Sequence, residues 1–194
     1  FRAYTSPDLV GVEVCGAAKN VLAIATGIAD GLGFGANTRA ALITRGLAEL
    51  IRLGSAFGGR PETFMGLAGV GDLVLTCTDD QSRNRRMGLA LAQGLSVAEA
   101  KAQIGQEVEG GVTAQSVHVL AQGMGIEMPI SEQVYRVLFE AVSPLQATAS
   151  LLDRAPRPAL MCRGRALRPD CRDVEGGCDG AEAAPGNPTC RQAS

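Results

Sequence analysis

One lysine stands in an otherwise small and apolar segment, GVEVCGAAKNVLAIATGIADG. Lys19 is one of two lysines among the 18 basic side chains of the protein. If the segment is a helix, Lys19 shares its face with Cys15, Gly16, Leu22 and Ala23, which are small or apolar. Burial there would disfavour the ammonium form, so the side chain could give or take a proton near neutral pH. The alternative is a stem that lies on apolar surface while the nitrogen reaches water.

The segment GLAGVGDLVLTC contains a second candidate. Gly66, Gly69 and Gly71 permit unusual backbone angles or close approach of other groups. They place an isolated acid, Asp72, ahead of the apolar LVL. A buried carboxylate at this position needs a cationic partner, and Lys19 is a candidate for that partner.

An unusual helix start follows in TDDQSRNRR. Three of the four residues after Ser82 are arginines, although the positive end of the helix dipole favours acids, so the cluster is unfavourable unless an anion is bound. Free backbone amides, the Ser82 hydroxyl, the Asn84 amide and the Arg83 guanidinium together suit a phosphate. The alternative is a solvated basic face that pairs with Asp79 and Asp80.

The segment GQEVEGGVTAQSVHVLAQ places two acids, Glu107 and Glu109, before a predicted helix. They could form an acid–base pair, but acids at such positions more often cap a helix or interact with its dipole. The single histidine, His118, lies between two valines, which favours packing on the bundle over catalysis. With one histidine and no C-x-x-C, the sequence predicts neither a structural zinc site nor a histidine-activated nucleophile.

These candidates are positioned by a predicted all-α helical bundle. Helix starts are indicated by side chains that cap a first turn and by prolines at a first helical position. The first predicted helix runs from Leu9 to Gly31 with Asp8 as its N-cap, and the second starts from Asn37 as its N-cap. Further starts are predicted at Pro61, at Ser96 in the capping box SVAE, at Pro129 and at Pro144.

Two glycine clusters in the sequence, GLGFGA and GLAGVG, resemble nucleotide-binding turns. Such a turn follows a strand within a βαβ unit, whereas these clusters lie among predicted helices. Neither cluster therefore predicts a dinucleotide site.

The composition excludes several classes of protein. A net charge of −2 gives no electrostatic case for binding nucleic acid or an anionic membrane. Polar residues and glycines interrupt the apolar runs before the roughly 20 residues that a bilayer span needs, so we expect no membrane insertion. No signal peptide is apparent, and we expect a cytoplasmic protein.

The two ends of the chain differ from the bundle. Residues 1–8, FRAYTSPD, have the pattern of a strand that lacks a partner, so we expect them to pair with another chain or to be the remnant of a sheet-containing domain. Residues 155–194 are rich in Pro, Gly, Arg and Ala, and we expect disorder or a non-native extension. The predicted divisions are residues 1–8, a helical substrate domain at 9–154 and a tail at 155–194.

Long stretches of the chain resemble a known family in their order and spacing. The segments GVEVCGAAKNVLAIATGIADG, PETFMGLAGVGDLVLTCTDDQSRNRRMG and GQEVEGGVTAQSVHVLAQGMG are similar to the C-terminal helical domain of bacterial NAD(P)-dependent glycerol-3-phosphate dehydrogenases. The resemblance covers about residues 1–153. It implies hydride transfer between NAD(P)H and C2 of a three-carbon phosphate, which interconverts dihydroxyacetone phosphate and the phospholipid precursor sn-glycerol 3-phosphate.

The resemblance also implies roles for individual residues. Lys19 takes the position of the catalytic proton-transfer residue, which also contacts the substrate, and Asp72 takes that of a substrate-site aspartate. Ser82, Arg83 and Asn84 match the SRN segment that binds glycerol phosphate.

On the cofactor side, the resemblance places Arg83 near the nucleotide as well. Glu109 matches an acid near the cofactor, and Glu107 occupies a neighbouring position where the family has an apolar residue. The family's dinucleotide-binding domain is absent from the sequence, so we expect a fragment that holds half of an active site. A homodimer is an assembly that this domain could form.

Two other functions stay open on the sequence alone. One is a non-enzymatic helical module, retained for dimerisation or partner binding after the nucleotide domain was lost. The other is a related two-domain dehydrogenase with a different substrate, although the SRNRR helix start favours a phosphorylated one.

Overall fold

The computed structural model describes residues 4–153, and within this range every regular element is helical. The predicted all-α fold is therefore confirmed. The elements are α1 (Leu9–Gly31), α2 (Gly35–Ala56), α3 (Pro61–Phe64), a π-helical turn (Leu67–Gly71), α4 (Asp72–Thr78), α5 (Arg83–Ala92), α6 (Val97–Ile104), α7 (Glu109–Met124), α8 (Pro129–Phe139) and α9 (Pro144–Leu152).

The central element is α1, which contacts α2, α4, α5 and α7. Between Ala18 and Ala29 every residue of α1 except Lys19 is buried. The small and apolar residues noted in the sequence are thus the core of the bundle, because neighbouring helices cover them on several sides. Lys19 therefore lies on α1, the helix that most of the other described helices contact.

By length and composition alone, α1 could also cross a membrane. This finding corrects the expectation that all apolar runs are too short, since the glycines and small residues of the segment do not interrupt the helix. Half of its most apolar stretch is buried inside the described bundle.

Most predicted helix starts are confirmed. Asp8 caps α1, the side chains of Ser96 and Glu99 form the capping box of α6, and prolines occupy the first position of α3, α8 and α9. The predicted start of α2 at Asn37 is wrong, because this helix begins at Gly35 without a side-chain cap. Positive φ angles of 83° at Gly33 and 77° at Gly35 turn the chain tightly after α1, so the second helix starts earlier.

Asp8 joins the start of α1 to the loop before α3 and to α3 itself. One carboxylate oxygen accepts from the Gly11 amide at 2.9 Å. The other accepts from the Arg60 amide at 2.8 Å and from the Thr63 hydroxyl at 2.6 Å. These hydrogen bonds, that of Thr63 foremost, lower the pKa of Asp8 below its ordinary value.

A buried acid fastens α8 to α2. Glu49, whose exposed fraction is 1%, accepts from the Ile130 amide at 2.7 Å. It also accepts from the Ser131 amide at 3.1 Å and from the Ser131 hydroxyl at 2.8 Å. Burial nevertheless raises the pKa of Glu49. The start of α8, which has no capping side chain of its own, is satisfied by this carboxylate.

Residues 4–8 form no strand in the described chain. Residues 1–3 and the tail from residue 154 lie outside the described residues, so the predicted strand remnant and the predicted disorder there stay predictions. The boundaries assigned to the helical substrate domain, 9–154, likewise stay an expectation.

Candidate functional site

Lys19 and Asp72 meet across the interface of α1 and α4. The Lys19 ammonium donates to Oδ2 of Asp72, although 53 residues separate the two in sequence. Their side chains are 20% and 34% exposed, respectively. The pair is therefore partly desolvated but reachable from solvent. The alternative interpretation, in which the Lys19 nitrogen only reaches water, does not account for this ion pair.

The local backbone explains how Asp72 reaches this position. The π-helical turn runs directly into α4, of which Asp72 is the first residue. A Cβ on Gly69 in this turn would lie 2.0 Å from the carbonyl oxygen of Phe64, so only glycine fits. The Thr76 hydroxyl donates to the Asp72 carbonyl at 2.7 Å and lies 3.4 Å from its Oδ1. Asp72 thus has a fixed backbone where the π-helical turn continues into α4.

The start of α5 has the features of an anion site. Ser82 caps the helix, and its hydroxyl accepts from the Arg85 amide at 3.3 Å. Arg83, at the first helical position, has a 41% exposed side chain. Asn84 is 7% exposed, and both ends of its side-chain amide are engaged in hydrogen bonds. The three predicted residues therefore differ in exposure, since Ser82 and Arg83 are half-buried and Asn84 is buried.

The remaining arginines of the SRNRR segment have separate roles. Arg85 is buried and pairs with Asp30 at 2.8 Å and with Asp80 at 2.5 Å. Arg86 is exposed. Asp79 accepts from the Gln81 amide at 2.8 Å. Of the predicted pairings with Asp79 and Asp80, the structure shows the one between Arg85 and Asp80, while Arg83 and Arg86 are the more exposed arginines of the segment.

The start of α7 joins this group through α1. Asn20, the residue after Lys19, lies 3.3 Å from the carboxylate of Glu109 and accepts from the Asn84 amide at 3.0 Å. The other oxygen of Glu109 lies 3.7 Å from the Arg83 guanidinium. Lys19 and Asn20 therefore connect two clusters, one on α4 and one on the starts of α5 and α7.

Other sequence candidates lie elsewhere. Glu107 is exposed in the loop before α7. His118 stacks on Tyr135 with ring centroids 3.7 Å apart, and its Nδ1 lies 2.7 Å from Glu132, which agrees with the predicted packing role. A cavity of about 410 Å³ opens beside this histidine between α7 and α8, and Lys19 does not line it.

The two described cysteines, Cys15 and Cys77, are buried free thiols. Burial raises the pKa of each to about 11, so both are protonated at neutral pH. Cys15 is therefore not a nucleophile for the Lys19 site. No cluster of three or more metal-ligating side chains occurs among residues 4–153.

Sequence reasoning missed Asn20 and Thr76 as members of this site. A signal for Asn20 existed, because it is a polar residue beside Lys19 in a segment of small and apolar residues. Its partners come from α5 and α7, 64 and 89 residues away, so periodicity along the chain could not identify them.

A family model described as the C-terminus of NAD-dependent glycerol-3-phosphate dehydrogenase matches residues 8–149. The chain is 63% identical over 158 residues to a protein of Nitrosococcus oceani named glycerol-3-phosphate dehydrogenase [NAD(P)+]. This match covers 81% of the chain and 46% of that relative. The chain thus spans about half the length of the curated relatives that it matches.

Solved structures agree with these sequence matches. The crystal structure of glycerol-3-phosphate dehydrogenase from Coxiella burnetii aligns with a TM-score of 0.78 at 60% identity, covering 79% of this chain and 47% of that one. A glycerol-3-phosphate dehydrogenase structure from Saccharomyces cerevisiae aligns with a TM-score of 0.68 at 33% identity, covering 73% and 42%. The helical arrangement is therefore one that dehydrogenase structures share.

Proposed function

The chain belongs to the NAD-dependent glycerol-3-phosphate dehydrogenase family, to whose C-terminal region it corresponds, and we propose that it carries the substrate-binding and proton-transfer half of such an enzyme. The reaction is the reversible reduction of dihydroxyacetone phosphate to sn-glycerol 3-phosphate with NAD(P)H, a product that feeds phospholipid synthesis. The observation that carries this proposal is the partly buried Lys19–Asp72 pair beside the Arg83 helix start.

Lys19 is the proton-transfer residue in this proposal. During reduction its ammonium gives a proton to the C2 oxygen as that carbon receives hydride, and the neutral amine takes the hydroxyl proton in the reverse direction. Asp72 accepts a hydrogen bond from the ammonium and so holds it in place. Proton transfer by a positioned side chain typically contributes roughly 100- to 10,000-fold to a rate.

The start of α5 binds the phosphate group. Backbone amides in the first turn of a helix lack intrahelical partners, and Ser82 occupies only the amide of Arg85. Arg83 adds a cation that solvent can reach. A phosphate at this position is therefore met by free amides, the helix dipole and a guanidinium. Asn84 keeps one side-chain hydrogen beyond the one given to Asn20.

Exposed groups at the starts of α5 and α7 fit a nucleotide cofactor. The side chains of Arg83 and Glu109 are 41% and 62% exposed and face each other. Arg83 offers a cation for phosphate, and Glu109 offers an acceptor for hydroxyl or amide donors. We assign cofactor contact to these two residues and to exposed Glu107. NAD(P)H, when bound, supplies the hydride and so the reducing chemistry.

Residence in the cytoplasm and assembly as a homodimer are parts of the same proposal. The buried free thiols of Cys15 and Cys77 suit a reducing compartment. Exposed apolar side chains on α7, including Val112 and Val119, offer surface that a second copy could cover. The alternative of a non-enzymatic module is not favoured, because the similarities extend over residues 8–149.

A chimera tests the proposed activity. This chain replaces the matching half of the Nitrosococcus oceani relative, whose remaining half completes the protein. We expect dihydroxyacetone phosphate to cause oxidation of NADH or NADPH, followed as a loss of absorbance, and we expect Lys19→Ala to abolish most of it. A folded chimera without oxidation, or with full activity after Lys19→Ala, would contradict the proposal.

A further inference from the structure

Asn20 is a buried polar residue that connects three of the helices of the site, α1, α5 and α7. It is 6% exposed on α1, directly after Lys19. A buried amide of this kind destabilises the fold unless hydrogen bonds satisfy it. Its Oδ1 accepts from Nδ2 of Asn84 at 3.0 Å, and its Nδ2 lies 3.3 Å from Glu109 and 3.4 Å from the Gly16 carbonyl.

The direction of these hydrogen bonds is fixed at both ends. The Gly110 amide can only donate, and it donates to Oδ1 of Asn84 at 2.9 Å. Nδ2 of Asn84 must therefore face Oδ1 of Asn20, which turns Nδ2 of Asn20 toward the Glu109 carboxylate, a group that only accepts. We call this series of bonds, from Gly110 through Asn84 and Asn20 to Glu109, the amide relay.

The amide relay leaves α7 and returns to it one residue earlier, after crossing α5 and α1. Close packing reinforces it, because a Cβ on Gly110 would lie 2.6 Å from Oδ1 of Asn84 and 2.9 Å from the carbonyl oxygen of Asn20. Only a glycine at position 110 therefore allows the start of α7 to lie this close to α1 and α5. The relay therefore fixes where Glu109 and the Asn84 side chain stand relative to Lys19.

We propose that Asn20 is a positioning residue of the site, which acts on the ligand through the orientation of the Asn84 amide. The inference rests on the proposed function, because the ligand is the phosphate compound assigned to the start of α5. Without an acceptor at position 20, the Asn84 amide can rotate, and its free hydrogen no longer has a fixed direction. The hydrogen bond that links Glu109 to Asn20, the residue next to Lys19, is lost at the same time.

Two variants of the full chain separate this role from a merely structural one. Asn20→Leu keeps a side chain of similar size but removes both polar groups. The double variant Asn20→Asp with Glu109→Gln rebuilds the relay at unchanged net charge, because the new carboxylate accepts from Asn84 and from the new glutamine. Asn37→Leu, at an exposed asparagine of α2, is the matched control.

Titration calorimetry with sn-glycerol 3-phosphate measures the effect on the ligand. We expect Asn20→Leu to weaken binding by about tenfold or more, since it leaves the buried Asn84 amide without its acceptor. The double variant should recover most of that loss, and Asn37→Leu should bind like the parent. Unchanged affinity in a folded Asn20→Leu protein, or no recovery in a folded double variant, overturns the inference.

Amide hydrogen exchange at Gly110, followed by NMR without ligand, tests the relay itself. Exchange should be faster in Asn20→Leu than in the parent and slow again in the double variant. A parent chain that does not bind the phosphate compound counts against the proposed function, whereas equal Gly110 exchange in parent and Asn20→Leu counts against the relay. The two failures are therefore distinguishable.

Discussion

Gly27 of α1 and Gly88 of α5 cross in direct backbone contact. A Cβ on Gly88 would lie 2.1 Å from the Ile24 carbonyl oxygen and 2.9 Å from the Gly27 carbonyl carbon. A Cβ on Gly27 would in turn lie 2.1 Å from the Arg85 carbonyl oxygen. Because neither obstacle is a movable side chain, the two glycines set the distance between the helix that carries Lys19 and the helix that begins at Arg83.

Gly88→Ala should therefore separate α1 from α5. We expect the free energy of unfolding to fall by about 1–3 kcal/mol, the usual cost of overpacking a core. Urea unfolding followed by circular dichroism measures this change. The matched control is Gly16→Ala on α1, where a Cβ meets nothing within 4 Å.

Gly16→Ala should leave stability equal or raise it by up to about 1 kcal/mol, because alanine favours a helix more than glycine does. If Gly88→Ala were as stable as the parent, the inference that α1 and α5 cross too closely for a side chain at position 88 would be wrong.

Lys19→Arg separates the two roles assigned to Lys19. Arginine keeps a positive charge for Asp72 but does not release its proton at neutral pH. In the chimera we expect kcat to fall roughly 100- to 10,000-fold, as for loss of a general acid. Steady-state rates of NAD(P)H oxidation provide the measurement.

The chain contains its own control for that experiment. Lys101→Met removes the only other lysine, which is exposed on α6, and should leave kcat unchanged. Near-parental turnover of Lys19→Arg would show that Lys19 contributes charge and not a proton.

Asp8 should make the fold sensitive to acid. Because hydrogen bonds lower its pKa in the folded state below the ordinary 3.8, its contribution to stability is present above that value. The contribution is lost as the pH falls through the lower folded pKa. Unfolding of the parent and of Asp8→Asn by urea, measured from pH 7 down to about pH 2, tests this dependence.

The gap in stability between the parent and Asp8→Asn should be widest at neutral pH and should narrow in acid. Thr63→Val, which removes the hydroxyl donor to Asp8, should lie between them at neutral pH. A gap that is constant with pH would contradict the role of the Asp8 charge.

Local signals in the sequence predicted the starts of most helices, because a cap or a proline acts within one turn. Asp8 and Pro61 are examples, and both occupy the predicted positions. The start of α2 was missed, since glycine conformations after α1 and not a capping side chain determine it.

The candidate site was predictable only where residue type was unusual for its surroundings. Lys19 and Asp72 were identified as isolated charges in apolar segments, and the structure brings them together. Asn20 stood out only as a polar neighbour of Lys19, and its role was missed because its partners lie 64 and 89 residues away in sequence. Arg85, predicted as one of a cluster facing an anion, is instead a buried partner of Asp30, a contact across 55 residues.

Glu49 gives the prediction with the opposite pH dependence. Two influences compete at this carboxyl, since burial disfavours its charge while three donors at the start of α8 favour it. Burial is the larger, and the folded-state pKa lies above the ordinary 4.5. The contribution of Glu49 to stability is therefore complete below pH 4.5 and is lost as the pH rises through the folded-state pKa.

Glu49→Gln stays neutral at every pH, so it should be less stable than the parent at pH 4, where its amide replaces a well-placed acid group. We expect this gap in the free energy of unfolding to shrink as the pH rises toward about 8, because only the parent then has to ionise a buried group. Urea unfolding at several pH values measures the gap. Glu140→Gln, at an exposed carboxyl paired with Arg136, should differ from the parent by about 0.5 kcal/mol or less throughout. A gap that widens toward pH 8 would mean that the donors of α8 outweigh burial and that Glu49 is held there as an anion.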